Sequence, residues 1–213
     1  MRFVLERVLT PDEVSLVRTK LTGGRFLDGG ATSGVDGKHN LQLPLEDPVA
    51  RSVGEFVSQR LAAHEGFRRM AYPAVILSPI FSRFEPGMSY PDHIDSTLMG
   101  RGRADVSVTL FLSEPGDYEG GELEIETGNG EQRYKLPAGD ALAYPSTTLH
   151  RVAPVVRGVR EVAVTWVQSM VRDAARRQLL AELGQLAQEL PPGPYGERVR
   201  KSHANLERMW LEP

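Results

Sequence analysis

The chain contains no cysteine. That single absence excludes a disulfide scaffold, a zinc–thiolate site and an iron–sulfur cluster, and it suits a reducing compartment. Long hydrophobic runs are also missing. The longest apolar stretches, such as residues 74–77, fall far below the roughly 20 residues that cross a bilayer. There is no basic excess either: the net charge is −3 and the pI is near 6.0, so no positive field invites nucleic acid. The opening stretch carries Arg2, Glu6 and Arg7 and is too short and too charged for a signal peptide. The expectation is a cytoplasmic protein with no membrane and no nucleic-acid partner. What is present is ordinary for a soluble globular chain: 213 residues, 40% hydrophobic and 25% charged. That is enough for one domain with a sizeable core and an appendage.

Local signals divide the chain into three stretches. Thr10-Pro11-Asp12-Glu13 opens a helix, with Thr as N-cap, Pro in the first turn and acids at the positive helix end. Val14, Leu16, Val17 and Leu21 form its apolar stripe, and Gly23-Gly24 stops it. Asp47-Pro48 repeats the start signal before Val49, Val53, Phe56, Val57 and Leu61. From Tyr72 the hydrophobic period becomes two. Strands are expected over 75–84, 105–113, 121–126, 132–136, 140–144, 151–155 and 160–168, with turns at Glu85-Pro86-Gly87, Pro115-Gly116, Gly128-Asn129-Gly130 and Pro137-Ala138-Gly139. Arg172-Asp173 then starts a helix lined by Ala175, Leu179, Leu183, Leu186 and Leu190, and a last helix is expected over 197–210. The organisation expected is an N-terminal helical and loop segment (1–71) packing on a β domain (72–170), followed by a C-terminal helical extension (171–213). Many short antiparallel strands imply a sandwich or jelly roll, a mainly β fold with flanking helices.

His93, Asp95 and His150 stand out within that β region, with Arg160 ten residues beyond the second His. Two imidazoles and one carboxylate form the ligand set of non-haem Fe(II) oxygenases. In extended chain, residues i and i+2 project to one face, so His93 and Asp95 can meet one ion. A guanidinium beside such a site offers a fork for an acidic cosubstrate. Alone, a His-x-Asp pair is weak in a chain with five His and 28 acidic residues, and ordinary hydrogen-bonded histidines are the alternative. For Arg160 the alternative is a strand-end salt bridge with Glu161 or a neighbour.

Longer blocks sharpen this. They are Arg83-Phe84-Glu85-Pro86-Gly87-Met88-Ser89-Tyr90-Pro91-Asp92-His93-Ile94-Asp95-Ser96, Ser107 to Ser113, Tyr118-Glu119-Gly120-Gly121-Glu122-Leu123, Leu136 to Asp140, Tyr144-Pro145-Ser146-Thr147-Thr148-Leu149-His150-Arg151-Val152, and Arg160 to Ser169. In order and spacing they resemble iron(II)/2-oxoglutarate dioxygenases of the prolyl 4-hydroxylase type, and more narrowly the bacterial PKHD-type hydroxylases. Gly37 to Leu43 and the C-terminal helix extend the resemblance over most of the chain. It implies a double-stranded β-helix (jelly roll, cupin-like) with Fe(II) on His93, Asp95 and His150, and the distal carboxylate of 2-oxoglutarate on Arg160. It also implies O₂ as cosubstrate, L-ascorbate as reductant, and hydroxylation of an amino-acid, peptidyl or other small substrate with release of succinate and CO₂. A cupin-like metal enzyme that does not use 2-oxoglutarate, and a non-catalytic sensor module on the same fold, are the competing readings. The first would not need Arg160; the second would be expected to have lost a ligand.

Other positions carry softer expectations. Tyr90 is expected to hydrogen-bond the cosubstrate or orient a metal ligand, as a cofactor-binding residue, with a simply packed Tyr as the alternative. Trp166, on the strand face of Arg160, reads as barrel core. Phe111 stands where related animal prolyl hydroxylases often carry a Tyr that bonds the distal carboxylate, and a Phe cannot make that bond. Gly120-Gly121 reads as a tight turn. His39 reads as a polar pocket wall, and His64 and His203 as solvated helix residues. Lys38, Asn40 and Gln42 alternate within residues 29–44, which is expected to rim the iron with these three side chains toward substrate; an edge strand facing water is the alternative. The Leu-rich helix over 173–190 would either cover the barrel or pair two chains as a homodimer.

Overall fold

The computed structural model describes residues 2–212 apart from Ser33, Arg101 and Asn129; the expected turn at Asn129 and one position of the 29–44 segment thus lie outside the described residues. In chain order the elements are β1 (Phe3–Leu5), α1 (Pro11–Leu21), β2 (Leu27–Asp28), β3 (Leu41–Gln42), α2 (Pro48–Ala63), α3 (Glu65–Ala71), β4 (Pro73–Ile76), β5 (Ile80–Phe84) and β6 (Tyr90–His93). Then come β7 (Leu98–Met99), β8 (Gly102–Arg103), β9 (Val106–Phe111), β10 (Tyr118–Gly120), β11 (Leu123–Thr127), β12 (Gly130–Tyr134) and β13 (Ala141–Pro145). The chain closes with β14 (His150–Val152), β15 (Val155–Gly158), β16 (Arg160–Ser169), α4 (Ala174–Glu189) and α5 (Pro194–Trp210).

The strands form a large antiparallel sheet, ordered β1-β13-β9-β16-β5-β3-β2 with β4 also on β16, and a smaller one ordered β12-β11-β14-β6. This is the jelly roll. Strands from the first 71 residues join it at both edges of the large sheet, so that segment supplies sheet as well as helices. The large sheet is buried on both faces, and the strict alternation along its strands says why. Val106, Val108 and Leu110 of β9, with Ala163 and Val167 of β16, pack in one core with Val17, Val57, Leu61 and Phe67 of the helices. Phe111, Leu142, Tyr144 and Val162 point the other way, into a second core between the sheets with Leu123, Ile125 and Val152. A one-residue slip would exchange the two sets.

Several boundaries differ from expectation for identifiable reasons. The expected strand over 75–84 breaks at Pro79, where no ladder N–H exists; both pieces still pair with β16. The strand expected over 151–155 divides between two sheets. α3, a single seven-residue helix directly after α2, is too short to show a period of its own. α4 buries Leu180 and Arg177, while Leu179 and Leu186 remain exposed. α5 packs against α4 at Gly184, where a Cβ would stand 3.1 Å from His203. Among the described residues no helix is long and apolar enough to cross a membrane.

Candidate metal and cosubstrate site

β14 and β6 pair antiparallel with His150 directly opposite His93. The two imidazoles therefore leave the small sheet on one face, with ring centroids 4.1 Å apart. Asp95 follows two residues after His93, and its carboxylate comes to the same point. His93 Nε2 lies 4.0 Å from Asp95 Oδ1, and His150 Nε2 lies 3.9 Å from Asp95 Oδ2. These separations are too long for hydrogen bonds. They suit three donors around one ion, and all three donor atoms lie within 4.8 Å of one another. The second layer is complete. His93 Nδ1–H donates to the Pro91 carbonyl at 2.8 Å and His150 Nδ1–H to the Thr148 carbonyl at 2.9 Å, which turns both Nε2 lone pairs inward. Ser107 Oγ, bonded to Ser146 at 2.9 Å, donates to Asp95 Oδ2. Burial, and then the neighbouring His150, lowers the pKa of His93 to about 4, so the ring is neutral and free to coordinate.

Tyr90 stacks on the His93 ring at 3.7 Å, with Lys38 Nζ 5.0 Å from its centroid. Tyr144 meets His150 edge-on at 5.1 Å, and burial pushes its phenol far above the ordinary range. The three donors open into a cavity of about 170 Å³, also lined by Tyr90, Arg160, Val162, Val164 and Trp166. The inward face of β16 thus forms one wall, and Trp166 borders the cavity rather than only filling core. Its indole Nε1 is buried without a partner.

Arg160 enters this cavity 1% exposed. Its guanidinium faces the rings of Phe84 (5.1 Å) and Phe111 (5.6 Å), its Nε has no hydrogen-bond partner, and among the described residues no carboxylate lies within ion-pair distance. The salt bridge with Glu161 does not form. Glu161 is on the opposite face of β16 and pairs with Arg83 at 2.9 Å and Arg18 at 3.1 Å. Burial lowers the pKa of Arg160, since a cation is held here without an anion.

Lys38, Asn40 and Gln42 line the cavity together, as their alternation implies. Lys38 Nζ donates to Thr32 Oγ1 (2.6 Å), which is bonded to Gln42 Oε1 (2.7 Å), and Gln42 Nε2 donates to Ser82 Oγ (3.1 Å). Burial lowers the Lys38 amine to about 8. The edge-strand alternative therefore does not hold for these side chains. His39 is corrected: it bridges Ser89 through its backbone and its side chain is exposed, away from the cavity. His64 and His203 are also not free in solvent. His64 caps α3, accepting from Phe67 N–H and donating to the Glu6 carbonyl; His203 bonds Tyr72 at 3.3 Å and lies 3.7 Å from Glu207. Ser107 and Tyr118 escaped sequence reading. Ser107 had one signal, a polar residue on an otherwise apolar strand.

The fold and the donor cluster define a class, the 2OG-Fe(II) oxygenase superfamily, and the model of that superfamily matches residues 79–168. A PKHD-type hydroxylase of Picosynechococcus sp. is 46% identical, covering 100% of both chains. A Pseudomonas putida prolyl-4-hydroxylase shares the fold with a TM-score of 0.55 at 21% identity, covering 79% of this chain and 92% of that one. A Trichoplax adhaerens prolyl hydroxylase, solved with a peptide fragment of hypoxia inducible factor, does so with a TM-score of 0.58 at 16% identity over 82% and 86%. The chain belongs to the PKHD-type hydroxylases within this superfamily. It is an iron(II)- and 2-oxoglutarate-dependent dioxygenase.

Proposed function

We propose that His93, Asp95 and His150 hold the Fe(II) and that Arg160 receives the distal carboxylate of 2-oxoglutarate. The observation that carries this is a fully buried guanidinium with no anionic partner, opening into the cavity of a three-donor cluster. Bound there, the metal and cosubstrate supply the oxidation: 2-oxoglutarate, O₂ and a C–H bond become succinate, CO₂ and a C–OH group. The chain's own residues prepare this. The Pro91 and Thr148 carbonyls fix both imidazoles, Ser107 fixes the carboxylate, and Tyr90 stacks on the His93 ring. Val162 and Val164 form a dry wall between Arg160 and the metal end. A cupin-like enzyme without 2-oxoglutarate would leave Arg160 with nothing to bind.

The substrate is an amino acid, a peptide segment or another small molecule, lying against Lys38, Asn40 and Gln42. The peptide held by the Trichoplax relative and the polar chain along this wall support that reading. Residues 72–170 act as the catalytic unit, 1–71 as its cover and 171–213 as a helical extension, in a cytoplasmic setting with L-ascorbate as reductant. The test is succinate formation with Fe(II), O₂ and 2-oxoglutarate, followed by a screen of amino acids and short peptides for stimulation. Succinate is expected, with a rise for at least one peptide or amino acid. No 2-oxoglutarate turnover under any condition would sink the proposal.

A further inference from the structure

We infer that the hydroxyl of Tyr118 is the second ligand of the 2-oxoglutarate distal carboxylate, taking the place that Phe111 cannot fill. The inference rests on the assignment of Arg160 to that carboxylate. A carboxylate arriving at Arg160 has further lone pairs to satisfy, and the two rings against the guanidinium, Phe84 and Phe111, offer none of the donors required. Tyr118 is 5% exposed, and its buried hydroxyl faces only the Arg160 guanidinium, which can donate to it but leaves the phenol's own proton without an acceptor. A buried hydroxyl proton without an acceptor calls for an explanation, and here it accompanies an orphaned Arg160 Nε.

The two side chains converge. A Cβ on Gly121 would stand 3.2 Å from Arg160 Cδ and 3.2 Å from Tyr118 Cε2, so only glycine leaves both in place, and its φ of +66° independently demands it. The tight turn read from Gly120-Gly121 thus also makes room for this pair. Lys135 pins Tyr118, donating to its carbonyl at 2.6 Å with Nζ 4.1 Å from the ring centroid. Burial raises the Tyr118 pKa against the opposing pull of Arg160, so the phenol keeps its proton and is a donor. Tyr144, the other phenol near Arg160, differs in that its side chain is already engaged with Thr109 and its ring meets His150 edge-on. An O–H donated to a carboxylate beside two buried side chains is a strong, charge-assisted bond.

The experiment is calorimetric titration of Mn(II)-loaded protein with 2-oxoglutarate and with 2-oxobutyrate, which lacks the distal carboxylate. Tyr118→Phe is expected to weaken 2-oxoglutarate by about 10-fold and to leave 2-oxobutyrate where it was. Adding Phe111→Tyr to that variant moves the hydroxyl to the neighbouring wall and is expected to recover most of the loss. An unchanged 2-oxoglutarate affinity in Tyr118→Phe would overturn the inference. So would an equal loss for both oxoacids, which would mark a structural role. Failure of the underlying assignment looks different: the parent would bind no 2-oxoglutarate, or Arg160→Ala would bind it as the parent does, and either result removes the inference as well.

Discussion

Arg177 at the junction of α4 with the barrel and Arg160 in the metal cavity are both withdrawn from water, 4% and 1% exposed, and burial lowers the pKa of each. Their surroundings differ. Arg177 donates to the carbonyls of Val171 (2.7 Å), Arg172 (2.8 Å) and Asp105 (3.1 Å). The Asp105 carboxylate is itself held by Arg103 at 2.8 Å and by the Ser169 N–H at 2.9 Å. Arg160 has aromatic rings and an unbonded Nε. A buried charge whose donors are spent on carbonyls serves the fold. One that the fold leaves uncompensated costs stability, and it is the kind of group that functional sites retain.

The largest effect is expected at the metal. His93→Ala, Asp95→Ala and His150→Ala should each abolish succinate formation, and metal analysis should fall from one divalent ion per chain toward none while the circular dichroism spectrum persists. Full activity in any of the three removes that ligand from the set. Next, Arg160→Ala should raise the KM for 2-oxoglutarate by about 30- to 1000-fold, the equivalent of about 2–4 kcal/mol for a charge-assisted fork. Lysine there should recover only part of this. Because the cation is unpaired in the free protein, the same variant should unfold no more easily than the parent.

Arg177→Ala should show the converse, losing about 2–4 kcal/mol of stability in urea as buried carbonyls go unsatisfied, with the 2-oxoglutarate KM within about twofold of the parent's. Lost cosubstrate affinity with intact stability would erase the distinction between the two arginines. A smaller effect concerns pH. His93 falls from 6.5 in the unfolded chain to about 4 in the folded one, so between those values the unfolded state takes up a proton that the folded state refuses. The stability of chelated, metal-free protein should be full above pH 6.5 and decline as pH falls through that window. Urea midpoints above and within the window check this, and His93→Gln should flatten the difference. The smallest effect is at the rim. Asn40→Ala and Gln42→Ala should lower the yield of hydroxylated product per succinate by about 3- to 10-fold, one polar contact each. An unchanged yield would move substrate recognition to the barrel walls.

Where the sequence is readable, the pattern is local. β16 alternates so regularly that its period alone sets Arg160, Val162, Val164 and Trp166 on one face, and the same period groups Lys38, Asn40 and Gln42. Helix starts at Thr10 and Asp47 are legible because capping acts within four residues, and both caps form. What cannot be read depends on contacts distant in sequence. Charge and helix position make Arg177 look like a surface residue, and only the return of Asp105 beneath α4 buries it. Ser107 reaches Asp95 from a strand of the other sheet. Tyr118 sits on a three-residue strand whose inward face is set by pairing with β15, and nothing in its own neighbourhood states which way it points.

If Arg160 is an open charge waiting for an anion, thermal unfolding with and without cosubstrate will show it. With Mn(II) bound, 2-oxoglutarate at about 100 times its Kd should stabilise the parent by about 2.7 kcal/mol through binding the folded state alone. At the same concentration Arg160→Ala should gain little, while Arg177→Ala, less stable to begin with, should gain as much as the parent. An equal rise in Arg160→Ala and the parent would mean that the guanidinium does not hold the cosubstrate.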